Sequence, residues 1–321
     1  MIKLDYENIE IKKEPIIVFM GTPEFASFVL EGLIKNYKVR AVVTQPDKKV
    51  GRGGAVKYSS VKEVAFEHKI LCLQPQNISD ALEEIHSLSP DLIITCAYGQ
   101  IVPIELLQIP VLGCINVHAS LLPKLRGGAP IHRAIMNGYT KTGVTIMYMD
   151  KGMDTGDMIS KKEVYITDED TASSLHDKLK IVGRDLLLET LPSILNKTNG
   201  REKQNEDEAT YAPIISKEDE KIDFTKNVRT VINQIRGLNS FPGSYCIIDD
   251  KRMKVWKARA SENVYDNKFP GEITSIYNDG FGVNVQNGEV VFTEIQLEGK
   301  GKINASSFIN GHSDLIGKIL K

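Results

Sequence analysis

Cysteine is scarce in this chain, and the cysteines present have no motif spacing. The 321 residues hold Cys72, Cys96, Cys114 and Cys246, with no Cys-x-x-Cys pair, and three of the four sit in apolar, strand-like runs as buried thiols do. Disulfides and zinc are therefore not expected, and a reducing, cytoplasmic setting is. The six histidines form no HExxH or HxxE run, so no metal is expected on that ground either. Long hydrophobic runs are missing. The first residues, MIKLDYENIEIKKE, are charged without an apolar core, so neither a membrane span nor a secretory signal is read. Nor is there an excess of one charge: 40 Lys and Arg against 42 Asp and Glu give a net −2. A protein that coats nucleic acid is basic throughout, so any RNA contact here has to come from local patches. FMGTPEF offers one glycine where a dinucleotide fingerprint needs three, and no acidic residue closes the next strand. A nicotinamide site is not expected.

The composition that remains, 41% apolar and 26% charged, is that of an ordinary globular protein long enough for two domains. Over the first two hundred residues short apolar runs alternate with amphipathic stretches, the pattern of a parallel sheet with crossover helices. PIIVFM, VRAVVTQ, ILCLQ, DLIITCA, GCINVH and GVTIMYM read as strands, and MISKKEVYI as a hairpin partner of the last. The reading is α/β, with a doubly wound, mainly parallel sheet in the first domain. A long helix from about Ala172 to Leu195 closes this part. The run from 197 to 216 is polar and charged and reads as a linker. After Lys217 one helix is expected at Thr225–Leu238, capped by Thr225. Short β segments follow, with turns at Asp249-Asp250, Asn278-Asp279-Gly280 and Asn287-Gly288, as in a small sandwich or barrel. The boundaries are thus 1–14 for a charged extension, 15–196 for the α/β domain, 197–216 for the linker and 217–321 for the β domain.

Ligands of such sheets bind beyond the carboxyl ends of the strands. Tyr98-Gly99, the segment from Asn116 to Pro123 and the Asp150–Asp157 loop all fall there. Asn116 and His118 share a strand face by the period of two. A carboxamide donor, an imidazole and a nearby carboxylate together suit attack of an amine on a carbonyl. Asp150, Asp154 and Asp157 all compete for the carboxylate role, and composition does not choose among them. Gly152 and Gly156 give their loop backbone freedom. Two basic runs stand apart from the trio. PDKKVGRGGAVKYSSVK carries Lys48, Lys49, Arg52, Lys57 and Lys62 in a connection longer than usual, suited to moulding around phosphates. In KRMKVWKAR, alternation puts Arg252, Lys254 and Trp256 on one face, where they form either a solvated surface or a groove wall for RNA.

INVHASLLPKLRGGAPI and GVTIMYMDKGMDTGDMI together resemble the signature of the folate-dependent formyltransferases. FMGTPEFA, TQPDKKVGRG and ITCAYGQIVP extend the likeness to nearly the whole chain from about Pro15. They are most similar to the branch that formylates methionyl-initiator tRNA. The resemblance implies 10-formyltetrahydrofolate as formyl donor, an amine acceptor, no metal, and an OB-like C-terminal barrel that binds tRNA. It places the catalytic carboxylate at Asp154, with Asn116 and His118 stabilising an oxyanion. It also implies folate contacts at Ser120, Leu121, Leu122, Pro123, Tyr98 and Gly99, and an RNA contact at Arg52. Lys48, Lys49, Lys57, Arg252 and Lys254 join that RNA surface, and a monomer is expected. The alternatives are formyl transfer to a small amine and hydrolysis of the same folate. Leu125 departs from the family's usual aromatic residue, and residues 1–14 have no counterpart.

Overall fold

The computed structural model describes residues 14–50, 55–312 and 314–321. In chain order the first half holds β1 Ile17–Gly21, α1 Glu24–Ile34, β2 Val39–Val43, β3 Lys48–Val50, β4 Ala55–Lys57, α2 Ser60–Glu67, β5 Leu71–Leu73, α3 Leu82–Ser87, β6 Leu92–Cys96, α4 Ile104–Leu107 and β7 Cys114–His118. Then come α5 Pro130–Met136, β8 Lys141–Tyr148, β9 Met158–Tyr165 and α6 Ala172–Leu195. The main sheet has seven strands in the order β5-β2-β1-β6-β7-β8-β9. β5, β2, β1, β6 and β7 run parallel, and β8 is antiparallel to β7. β1 and β6 are buried at every residue, which is why they read as unbroken apolar runs rather than as alternation. Edge strand β9 exposes Lys161, Lys162 and Glu163, and such charges discourage pairing with another chain. Val18, Met20, Ala41, Val43, Ile93 and Ile85 pack together on one side of the sheet.

The β domain contains α7 Lys217–Glu220, α8 Val228–Gly237, β10 Ser244–Ile248, β11 Lys251–Ala260, β12 Ile273–Tyr277, β13 Gly280–Val285, β14 Gly288–Leu297, β15 Ile303–Asn304 and α9 Ala305–Ile309. Its strands form an antiparallel sheet, β10-β11-β14-β13-β12, with β15 on β14. The turns sit where the sequence puts them. Asp249, Asp250 and Asn287 have positive φ, which Asp and Asn tolerate at hairpin ends. Val231, Ile235, Met253, Val255, Phe281 and Phe292 form its core. The helix expected from Thr225 starts later. Asn227 is the N-cap, its side chain accepting from Thr230 N, while Thr225 donates its hydroxyl to Asp223. Asn outranks Thr as a cap, and Val231 and Ile235, one turn apart, then face the core.

Chain contacts divide the molecule into two compact units. One comprises 1–128, 143–164 and 177–211; the other comprises 129–142, 165–176 and 212–321. Two sequence expectations are revised. The basic connection is not a plain loop, because β3 and β4 pair as an antiparallel hairpin with Lys48 opposite Lys57. The polar run after residue 197 does more than join: Glu202 bridges to Met158, and 197–211 pack within the first unit. Among the described residues no helix is long and apolar enough to cross a membrane.

Candidate active site

β7 ends on Asn116 and His118, and each side chain is fixed by a different neighbour. Thr95 of β6 is the register partner of Asn116, and its hydroxyl donates to Asn116 Oδ1 at 2.9 Å. The same hydroxyl lies 3.1 Å from the Ile115 carbonyl. With Oδ1 toward Thr95, Nδ2 faces Asp154 Oδ1 at 3.5 Å, an acceptor that suits it. That contact is long enough for Nδ2 to turn to a better acceptor.

His118 is buried, with its Nε2 3.0 Å from the Leu125 carbonyl. A carbonyl only accepts, so Nε2 is the nitrogen that carries hydrogen. Nδ1 faces Asp154 Oδ2 at 3.6 Å. In the neutral ring Nδ1 is therefore the bare nitrogen; with a second proton the ring is a cation beside a carboxylate. The arrangement suits a ring that takes and returns a proton at Nδ1. Leu125, where the family has an aromatic residue, is buried; its contribution at this site is a main-chain carbonyl.

Of the three competing aspartates, Asp154 is the one that meets the pair. Its Oδ2 also accepts Gly127 N at 2.8 Å. Asp150 instead closes a turn, accepting Gly152 N at 2.9 Å and the Thr155 hydroxyl at 2.6 Å. Asp157 offers its main-chain carbonyl to Tyr148 N at 2.8 Å. The backbone freedom ascribed to Gly152 and Gly156 lies elsewhere. Asp154 itself is left-handed, with φ 55°. The glycines are needed for closeness: a Cβ on Gly156 would sit 2.0 Å from the Tyr148 carbonyl oxygen.

Sequence reasoning missed Thr95 and Gln204 behind the trio. Thr95 lay in a recognised strand, but its register against β7 has no local signal. Gln204 lies in the presumed linker. Its Nε2 donates to the carbonyls of Asp154 and Gly156, both at 2.8 Å, and its Oε1 accepts from Arg126 Nε and Nη2 at 3.0 and 2.8 Å. Arg126 is fully buried and also forks onto both Glu206 carboxylate oxygens at 2.8 Å. Thr210 receives Leu125 N on its hydroxyl at 2.9 Å and Arg126 N on its carbonyl at 2.8 Å.

The other sequence-derived positions divide into three groups. Tyr98 is buried while Gly99 is exposed, beyond the end of β6, with positive φ at Ala97 and Gly99. The Tyr98 carbonyl accepts Thr22 Oγ1 at 2.9 Å, and burial pushes the Tyr98 phenol up to about 12. Ser120 is buried, its hydroxyl donating to the Lys124 carbonyl at 2.6 Å; Leu122 and Pro123 are buried and Leu121 half-buried. Lys48 and Lys57 are exposed on the β3–β4 hairpin, whose β3 also carries Lys49. Arg52 and residues 1–13 lie outside the described residues. Lys62 is paired with Asp47. On β11, Arg252 stacks 3.6 Å above the Tyr245 ring and binds Glu220, and Lys254 donates to the Pro242 carbonyl at 2.7 Å. Trp256 shares that face beneath Lys302, as alternation predicted. Among the described residues, no group of three or more His, Cys, Asp or Glu is placed to hold a metal.

Asn116, His118 and Asp154 thus converge beyond the end of β7 in a doubly wound sheet. The chain belongs to the formyl transferase family: the formyl transferase profile matches residues 14–191, and that of the formyl transferase C-terminal domain matches 214–313. It is 47% identical over 304 residues to the methionyl-tRNA formyltransferase of Macrococcus caseolyticus, spanning 94% of this chain and 97% of that protein. It is also 47% identical over 308 residues to that of Clostridium perfringens, spanning 95% and 99%. Among solved structures, the fold matches WlaRD, a sugar 3N-formyl transferase, at TM-score 0.66 and 23% identity over 89% of this chain and 99% of that one. It also matches HypX from Aquifex aeolicus at TM-score 0.63 and 17% identity, over 95% and 48%.

Proposed function

We infer that this chain transfers the formyl group of 10-formyltetrahydrofolate to the free amine of methionyl-initiator tRNA, giving formylmethionyl-tRNA and tetrahydrofolate for translation initiation. The observation that carries the reading is the convergence of Asn116, His118 and Asp154 in a chain similar, end to end, to methionyl-tRNA formyltransferases. Identity of 47% to a methionyl-tRNA formyltransferase, against 23% to a sugar 3N-formyl transferase over similar coverage, disfavours a small-amine transferase. The activity belongs in the cytoplasm, and four free thiols suit that compartment.

The exposed Gly99, with positive φ beyond the end of β6, fits contact with a flat, hydrogen-bonding heteroring. Ser120, Leu121, Leu122, Pro123, Tyr98 and Gly99 would hold the folate, which supplies the activated formyl carbon. Asn116 Nδ2 donates to the oxygen that gains charge as an amine adds to a carbonyl. His118, protonated at Nδ1, is a second donor on that oxygen. Asp154 takes the proton shed by the amine and returns it to the folate nitrogen, which leaves as its bond to the formyl carbon breaks. The residues assigned to the RNA are Arg52, Lys48, Lys49, Lys57, Arg252 and Lys254, which track backbone phosphates.

The test is an acceptor assay: the chain is incubated with 10-formyltetrahydrofolate and either methionyl-tRNA or a panel of amino sugars and nucleotides. Formylation of methionyl-tRNA is expected; formate release, or a small amine as the preferred acceptor, refutes the reading.

A further inference from the structure

We propose that Gln204, locked by Arg126 and Glu206, is a positioning residue that holds Asp154 in its working geometry. The inference rests on the reading of Asp154 as a catalytic group. Asp154 is left-handed, a conformation that persists in a non-glycine residue when the surroundings over-determine it. One amide supplies much of that determination. Gln204 Nε2 spends its two hydrogens on the carbonyls at 154 and 156, clamping the chain on both sides of Thr155. Gln204 Oε1 is in turn held by two Arg126 donors, so the amide cannot flip. The Arg126 fork is itself fixed on Glu206 and admits no exchange with a point charge such as Lys. The next residue, Gly127, donates its N–H to Asp154 Oδ2. Arg126 thus reaches the carboxylate from two directions: through Gln204 to its backbone, and through its own chain neighbour to its oxygen. Gln204 touches no reacting atom; it acts through Asp154.

Gln204→Glu in the full-length chain separates positioning from packing. The substituted side chain still accepts from Arg126 but sets an oxygen against two carbonyl oxygens. The expected result is a kcat about 10- to 100-fold lower, as for a small misplacement of a catalytic group, with KM for both substrates unchanged and the thermal midpoint lowered by the two lost hydrogen bonds. In an Asp154→Ala background, followed by single-turnover kinetics, Gln204→Glu is expected to cost nothing further, because the group it positions is gone. Wild-type kcat in Gln204→Glu, or an equal loss in both backgrounds, overturns the proposal. If Gln204→Glu does not fold, Gln204→Ala enters the same cycle and the same outcomes decide. Near-normal activity in Asp154→Ala removes the reading of the site and this inference with it. A strongly impaired but measurable Asp154→Ala with an additive Gln204 effect removes the inference alone.

Discussion

Replacing His118 by Ala removes the ring that reads the Leu125 carbonyl on one side and Asp154 on the other. Its turnover is expected to fall about a hundred- to ten-thousandfold, as for loss of a general acid–base group, and Asp154→Ala should fall comparably. Near wild-type rates in both, measured with methionyl-tRNA at saturation, would reject the site. Asn116→Ala should raise the barrier by about 3 kcal/mol, the loss of one oxyanion donor. Thr95→Val is the subtler change: it keeps the shape and removes the donor that orients the Asn116 amide. A loss of about fivefold in kcat is expected, roughly the worth of one neutral hydrogen bond, and an unchanged kcat would mean that the amide is oriented without Thr95. Asn116 and His118 were legible from their spacing on one strand face, whereas Asp154 was separated from Asp150 and Asp157 only by the family signature. Thr95 and Gln204 were not legible. Strand register and long-range hydrogen bonds leave no local trace, and a polar side chain reads the same in sequence whether it meets water or a carbonyl.

At the level of elements, strands buried on both faces announced themselves as apolar runs, and the paired Asp and Asn-Gly turns marked the hairpins of the β domain. The β3–β4 hairpin did not announce itself, since its three-residue strands are basic and have no apolar face to alternate. The start of α8 was misread because Thr225 and Asn227 are both good caps, and packing of Val231 and Ile235 decided between them. Asn227→Ala should accordingly destabilise the chain by about 1 kcal/mol, seen as a lower denaturant midpoint, whereas Thr225→Ala should have a smaller effect. A second element-level prediction concerns pH. Arg133 of α5 donates to both oxygens of Asp219 in α7, at 2.8 and 2.6 Å, and holds that carboxyl below its ordinary 3.8. A carboxyl depressed in the folded state stabilises it above the unfolded value, and that gain is lost as pH falls through the folded one. The stability gap between wild type and Asp219→Asn should therefore be constant above about pH 5 and close below about pH 4. A gap that persists at pH 2 would show that the pair acts through packing rather than charge.

For the molecule as a whole, a net charge of −2 means that a polyanionic substrate has to be met by particular cations rather than by a general field. Those cations are not equivalent. Arg252 is already neutralised in part by Glu220 at 2.7 Å and stacks on Tyr245, and Lys254 is spent on a main-chain carbonyl. Turning either to a phosphate breaks an existing contact, so its net contribution to counterion release is less than one charge. Arg52, in the glycine-rich sequence between β3 and β4, is the residue proposed to make a full phosphate contact. Arg52→Ala is therefore expected to weaken binding of methionyl-tRNA and flatten the plot of log K against log salt by about one unit. Arg252→Ala should flatten it by less than that, and neither should change folate affinity. If Arg52 also reads a base, formylation of initiator tRNA should fall beyond its loss of bulk tRNA binding, by a further roughly 1–3 kcal/mol. Should the salt slope be the same in wild type and Arg52→Ala, Arg52 makes no phosphate contact. Affinity for the RNA would then rest on the face of β11 and on contacts that carry no net charge.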